Sequence, residues 1–231
     1  MTETIFVIGP QRSGTTWVYR LLEMQEAGIA IDRVEKENYV FSRPRPADPV
    51  TRRDRFLARL TGSGPIVLNA DVCSTYFGDE AALRRIVESF PNARFIYIHR
   101  DEPGRRRSFE THRHYNRFGL WFIGETIGWA TYRQQADFAG AEATLHRVVS
   151  PDRTLRLDFD DLKVEGGRCW VEALEAFTGV ALPKRPEGAV NTARSAESLP
   201  RALAIGGYRL VQRLRLHIPV RTLYALLARR G

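Results

Sequence analysis

Residues 9–16 read Gly-Pro-Gln-Arg-Ser-Gly-Thr-Thr, a combination suited to holding a multiply charged anion. Gly9 and Gly14 keep the G-x-x-x-x-G spacing of a nucleotide-binding phosphate loop, but Thr15 stands where that loop has its lysine. The cation has moved to Arg12, whose planar guanidinium grips phosphate and sulfate groups through paired hydrogen bonds. Backbone N–H groups of such a loop, and the positive end of a helix that follows it, converge on one point. Two glycines at this spacing also suit a tight turn that binds nothing. The Arg-Ser-Gly-Thr-Thr run between and after them is what favours an anion site.

A second cation stands further along. Arg100 follows the apolar run Phe95-Ile96-Tyr97-Ile98, and Ser108 lies eight residues beyond it. If both cations sit just past strands of one parallel sheet, they face one crevice, because ligands of such sheets bind outside the strands' carboxyl ends. Two phosphate-type sites on neighbouring strand ends would suit a ligand with two phosphate groups. The competing reading pairs Arg100 with Asp101 or another surface acid.

The surrounding pattern supplies the elements those residues need. Ile5–Ile8 is a short β-branched run typical of a buried strand, and Thr15–Leu22 switches to helical spacing with Trp17, Leu21 and Leu22 as its apolar positions. Further strands are expected at Ile66–Asp71, Arg94–His99 and Thr154–Asp158. Between them lie helices at Thr51–Leu60, Glu80–Phe90 with Asp79 as its cap, Gly104–Tyr115, and a long one over Thr126–Val149 interrupted or bent near Gly140. A last core helix, Cys169–Phe177, stops at Gly179, and one or two basic amphipathic helices follow from Ser198. Ile29–Val40 reads as a compact charged segment, and Arg43–Pro49, with its three prolines, as a surface loop. Strands alternating with helices predict an α/β fold of three layers, α/β/α, around a central parallel sheet. One domain over residues 1–231 is expected, with a C-terminal helical segment over about 198–231.

Composition bounds the class. The chain has 231 residues, 43% of them hydrophobic and 27% charged, which suits a globular domain rather than a disordered chain. Net charge is +8, and arginine supplies nearly all the positive charge because there are only three lysines. That field attracts anionic ligands, although GC-rich coding alone also enriches arginine. No zinc finger, RNP pattern or helix-turn-helix is evident, so nucleic acid is not the expected partner. Cys73 and Cys169 read as two buried thiols, with no disulfide framework or metal-ligand spacing. The start of the chain lacks the basic and apolar regions of a signal peptide, and no run is long enough to span a bilayer. A cytoplasmic protein without stable membrane insertion is the expectation.

With these residues in view, a family resemblance emerges. Phe6–Trp17, FVIGPQRSGTTW, resembles the 5′-phosphosulfate loop of sulfotransferases that use 3′-phosphoadenosine 5′-phosphosulfate (PAPS), in the Arg-Ser-Gly-Thr-Thr form of the Golgi and bacterial branches. Phe95–Ser108, FIYIHRDEPGRRRS, is similar to the family's 3′-phosphate segment of strand, Arg-Asp-Pro and a serine eight residues after the arginine. Arg100 and Ser108 match; the proline is displaced to Pro103 by Glu102. Leu157–Leu162 and Phe177–Val180 are similar to two weaker family segments, Arg-Tyr-Glu-Asp-Leu and Phe-Leu-Gly-Val.

The resemblance implies direct transfer of a sulfuryl group from PAPS, leaving PAP, to a hydroxyl or amine of a glycan or small-molecule acceptor, with no metal. It assigns Gln11, Arg12, Ser13, Gly14, Thr15, Thr16 and Trp17 to the phosphosulfate and Arg100 with Ser108 to the 3′-phosphate. Arg12 would lie nearest the bond that breaks. A general base must take the acceptor's proton. Lys36–Phe41, KENYVF, resembles the Lys-Glu-x-x-Phe-Phe segment of glycosaminoglycan sulfotransferases, which makes Glu37 the base and places Lys36 near the sulfate. Asp71, opening a segment similar to that branch's Glu-Lys-Ser-Pro-x-Tyr-Phe, is the rival, with His112 and His114 behind it. His99 reads as a core residue, and Trp121, Phe122 and Trp129 as core or pocket lining. Two other readings stay open: a P-loop nucleotide kinase or NTPase, and a non-enzymatic anion-binding module.

Overall fold

The computed structural model describes residues 2–25, 27–34, 36–42, 48–113 and 135–186. The chain forms two compact units. The first comprises Met1–Asp101 with Gln135–Asn191, and the second Glu102–Gln134 with Thr192–Gly231.

The first unit is built on five parallel strands: β1 (Glu3–Gly9), β2 (Ile29–Ile31), β3 (Leu68–Val72), β4 (Arg94–His99) and β5 (Thr154–Asp158). Their order across the sheet is β2-β3-β1-β4-β5, with β1 in the centre. The chain places β2 and β3 on one side of β1 and then crosses to place β4 on the other. This reversal opens a crevice at the carboxyl ends of the central strands.

The central strands β1 and β4 alternate their side chains between two apolar layers. Ile5 and Val7 of β1 face a cluster with Val18, Leu21 and Leu22 of helix α1 (Thr15–Glu23), together with Trp170 and Leu174 of α6 (Arg168–Thr178). Phe6 and Ile8 face the opposite cluster. It holds Phe56 of α2 (Pro49–Leu57), Leu83 and Ile86 of α3 (Glu80–Ser89), and Leu145 of α5 (Phe138–Val148). The sheet is therefore covered on both faces, which is why β1 and β4 read as unbroken apolar runs. Of the second unit, helix α4 (Glu102–Arg113) is described; Arg105 is buried in it and pairs with Glu102 one turn earlier.

The expected three-layer α/β arrangement and its parallel sheet are present. Four strands fall where anticipated. The fifth, β2, lies inside the segment read as charged and irregular, because Ile29-Ala30-Ile31 is too short to show alternation. The segment expected as a helix over Thr126–Val149 is interrupted just before Gly140, as anticipated, and α5 runs on through Gly140. Residues 135–137 form a turn, Asp137 caps α5 by accepting from the Gly140 N–H at 3.0 Å, and the residues before 135 lie outside the described ones. Asp79 caps α3 as expected, accepting from Ala82 N–H at 3.0 Å. Cys73 is buried, but Cys169 is exposed on α6, contrary to the reading of two buried thiols. Trp121, Phe122, Trp129, His114 and the helices beyond Ser198 lie outside the described residues.

Candidate active site

The anion loop leaves β1 at Gly9 and enters α1 at Thr15. Its backbone shape is demanding. Gly9 takes φ 112°, Arg12 φ 67° and Gly14 φ 97°, and the Gly9–Pro10 peptide is cis. Gly9 has a steric role as well, since a Cβ there would lie 2.6 Å from the Ser74 carbonyl oxygen. Gly14 starts α1 in the left-handed conformation, and no side chain caps the helix. Its first turn carries no acidic residue. The positive end of α1 is thus left to an anion rather than to an internal carboxylate.

Two guanidinium groups meet at this loop. Arg100, directly after β4, donates from Nη1 to the Arg12 carbonyl at 2.6 Å and lies 3.8 Å above the Phe159 ring. Burial first, and then the positive charge of Arg100, lower the Arg12 pKa to about 10. Arg12 is still protonated at neutral pH, but two cations held together in a desolvated place favour a compensating anion. Ser13 reports the same demand. Its side chain is fully buried, and its Oγ has no hydrogen-bond partner among the described residues. A buried hydroxyl without a partner is costly, and a phosphate or sulfate oxygen would satisfy it.

Thr15 is buried and Thr16 half-buried at the start of α1. Trp17 turns its ring into the core, edge-on to Trp170 at 5.8 Å, and its backbone N–H donates to the Gly14 carbonyl. Gln11 is half-buried; its N–H donates at 2.8 Å to Oε1 of Gln135.

A carboxylate cluster lies at the carboxyl end of the neighbouring strand β3, where Asp71 of that strand and Glu37 of the segment after β2 come together. Glu37 accepts from the Ser74 N–H at 2.7 Å and the Ser74 hydroxyl at 2.9 Å, and it pairs with Lys36. Asp71 accepts from Asn38 Nδ2 at 2.9 Å and is only 2% exposed, whereas the Glu37 side chain is 25% exposed. Burial, followed by the charge of Glu37, pushes the Asp71 pKa up to about 7. Tyr76 ties the cluster to the core: its hydroxyl donates to Asn38 Oδ1 at 3.3 Å and accepts from the Phe41 N–H at 3.4 Å. Sequence spacing gave no reason to place Glu37 and the anion loop together. Ser74 brings them to the same end of the sheet, because it bears Glu37 and also abuts Gly9.

His99 is not the core residue it was expected to be. It is half-buried, and its Nδ1 lies 2.6 Å from Asp158 Oδ1, its partner in the β4–β5 register. Ser108 and His112 lie on α4 of the second unit. Among the described residues no group of His, Cys, Asp and Glu could hold a metal, and no helix is long and apolar enough to cross a membrane. Ser74, Asn38, Phe159 and Gln135 belong to the site without having been singled out. Of these, Ser74, Asn38 and Phe159 lie inside segments that carried a resemblance, while Gln135 had no local signal.

Comparison with known proteins gives this geometry a context. Residues 79–184 match the family model described as "Sulfotransferase family", a stretch that includes Arg100 and Ser108. No curated protein sequence matches the chain. The solved sulfotransferase of Alicyclobacillus acidocaldarius shares the fold, with a TM-score of 0.61, 15% identity and 96% of both chains covered. The sulfotransferase domain of the Synechococcus PCC 7002 olefin synthase aligns over 90% of this chain and 94% of its own, at 16% identity and a TM-score of 0.49. Mouse sulfotransferase SULT7A1, solved with PAP, aligns over 79% and 61%, at 14% identity and a TM-score of 0.45. These two scores are too low to add to the fold assignment. The family match runs through the segment that bears the second cation, so residues 79–184 are similar to the sulfotransferase family, and the chain shares the fold of a solved sulfotransferase.

Proposed function

We propose that this protein is a sulfotransferase that transfers a sulfuryl group from PAPS to a hydroxyl or amine of a small-molecule or glycan acceptor. The observation that carries this reading is the half-buried pair Arg12 and Arg100 beside the buried Ser13 hydroxyl, which has no partner among the described residues, at a helix end that lacks the Walker lysine. A triphosphate site would set a lysine at the position of Thr15. This loop keeps a hydroxyl at Thr16 but carries its cation at Arg12, which suits the charge that develops on a leaving phosphate.

Sulfuryl transfer resembles phosphoryl transfer in needing mainly alignment and charge stabilisation. Arg12, the Ser13 hydroxyl and the N–H groups at the start of α1 bind the 5′-phosphosulfate. As the bond from sulfur to the 5′-phosphate oxygen breaks, Arg12 stabilises the charge left on that oxygen. Arg100 and, on the motif alone, Ser108 take the 3′-phosphate. Glu37 takes the acceptor's proton and Lys36 faces the sulfuryl oxygens. The exposure of Glu37 favours it over Asp71, whose carboxyl is sealed behind Asn38 and cannot meet an acceptor without rearrangement.

Titration calorimetry without magnesium tests the donor assignment. PAP should bind at least about tenfold more tightly than AMP, a gap of one well-placed charged contact. Equal affinities would remove the 3′-phosphate from the reading, and binding of ATP only with magnesium would replace it with a nucleotide kinase. Transfer of labelled sulfate from PAPS to a panel of glycans, phenols and amines then identifies the acceptor.

A further inference from the structure

We propose that Gln135 is a positioning residue for the transfer, holding the anion loop and the Glu37-bearing segment in one register; this rests on the sulfotransferase reading above. Gln135 belongs to the same unit as both segments and is fully buried. Its Oε1 accepts from the Gln11 N–H at 2.8 Å, inside the anion loop. Its Nε2 donates to the carbonyls of Ser74 and of Phe77, the latter at 3.3 Å. Ser74 in turn holds both oxygens of Glu37, through its N–H and its hydroxyl. One planar amide therefore has the donor-binding loop on its oxygen and, on its nitrogen, the segment whose Ser74 holds Glu37.

The two segments are already pressed together around that amide. Gly9 approaches the Ser74 carbonyl so closely that a Cβ would not fit. The Cys73 N–H donates to the Val7 carbonyl at 3.0 Å, and the Phe77 N–H to the Ile8 carbonyl at 3.0 Å. These bonds fix the roots of both segments on β1. None of them reaches Gln11, beyond the Gly9–Pro10 turn, and Gln135 supplies that outer contact. In-line transfer depends on the sulfur and the proton acceptor lying at a set separation, so the loss of this tie should slow the transfer step more than donor binding. A purely structural glutamine, by contrast, would affect folding and donor affinity together.

The test compares Gln135→Met and Gln135→Glu with the wild type. The rate is read as PAP released from PAPS in single turnovers with excess enzyme and water as acceptor, and affinity as PAP calorimetry. Both variants should lose about 100-fold in rate, while PAP affinity changes by less than about tenfold. Gln135→Glu keeps the volume and the accepting oxygen, and it decides the matter should Gln135→Met not fold. Its carboxyl, raised by burial, can donate toward Ser74 or Phe77 only when protonated, so its rate relative to wild type should recover about tenfold between about pH 8 and about pH 5.5. The titratable groups on the packed segments, Arg12 beside Gln11, Glu37 on Ser74 and Cys73 before it, are shared by the wild type, so the ratio isolates the introduced acid. Wild-type rates in both variants would overturn the inference, as would a ratio that stays flat with pH, or a PAP affinity that falls in step with the rate. A wild type that neither binds PAP nor releases it from PAPS would overturn the sulfotransferase reading and this inference together.

Discussion

Asp71 and Glu37 are neighbouring carboxylates with different environments, and the difference separates their roles. Asp71 is sealed from solvent, and burial with the charge of Glu37 raises its pKa from 3.8 to about 7. A raised carboxyl pKa means that the folded state holds the proton more tightly than the unfolded one. Ionising Asp71 therefore weakens the fold, and its effect on stability worsens as pH rises from about 4 to about 7, at up to about 1.4 kcal/mol per pH unit. Asparagine has no proton to lose and keeps an oxygen for the Asn38 amide, which donates to Asp71 at 2.9 Å. Asp71→Asn should be more stable than the wild type at about pH 8 and close to it at about pH 4, a convergence that urea denaturation at the two values checks. The same variant should retain most of its turnover, and Glu37→Gln should lose it. A dead Asp71→Asn with a live Glu37→Gln would exchange the two roles.

At the scale of elements, the loop between β1 and α1 was the most legible part of the chain. The pattern that suggests an anion site is written in a few adjacent residues, and Gly9, Arg12 and Gly14 adopt positive φ angles there. The apolar runs of β1 and β4 were legible for a related reason, since a strand covered on both faces shows no polar interruption. What was hidden depends on contacts far apart in sequence. His99 meets Asp158 because β4 and β5 pair in one particular register, which neither segment encodes alone. Ser74 matters because it meets both Gly9 and Glu37, and Gln135 because it reaches back more than a hundred residues to Gln11. β2 escaped because three residues are too few to establish a period. The Gly9 contact gives this scale its own test. In Gly9→Ala the new methyl would need to displace the Ser74 carbonyl at a φ of 112°, which alanine rarely adopts. That strain should cost about 1–3 kcal/mol. The thermal midpoint should fall, and turnover should fall further than PAP affinity because Ser74 carries Glu37. An alanine variant with an unchanged midpoint would show that the loop and the β3 end yield easily to each other.

At the scale of the whole molecule, the net charge of +8 has two explanations that differ in their response to salt. Arginine enrichment that merely follows base composition would scatter charge without reference to any site. Arginine used for binding would concentrate field at the loop, where burial and then the charge of Arg100 already lower the Arg12 pKa. A focused field accelerates the encounter with an anion, and that gain disappears as salt shortens the screening length from about 30 Å at 0.01 M to about 8 Å at 0.15 M. PAP carries two phosphomonoester groups, each of about −1.5 to −2 at neutral pH, and AMP carries one. Steering depends on the product of the two charges, so PAP should be the more salt-sensitive ligand. Its association rate constant, measured by stopped flow, should fall about tenfold over that salt range, and that of AMP by about threefold. The dissociation rates should change less, because contacts within a desolvated loop are screened weakly. If both ligands show the same shallow slope, the basic charge lies away from the donor site and the affinity rests on the short-range contacts of Arg12, Ser13 and Arg100 alone.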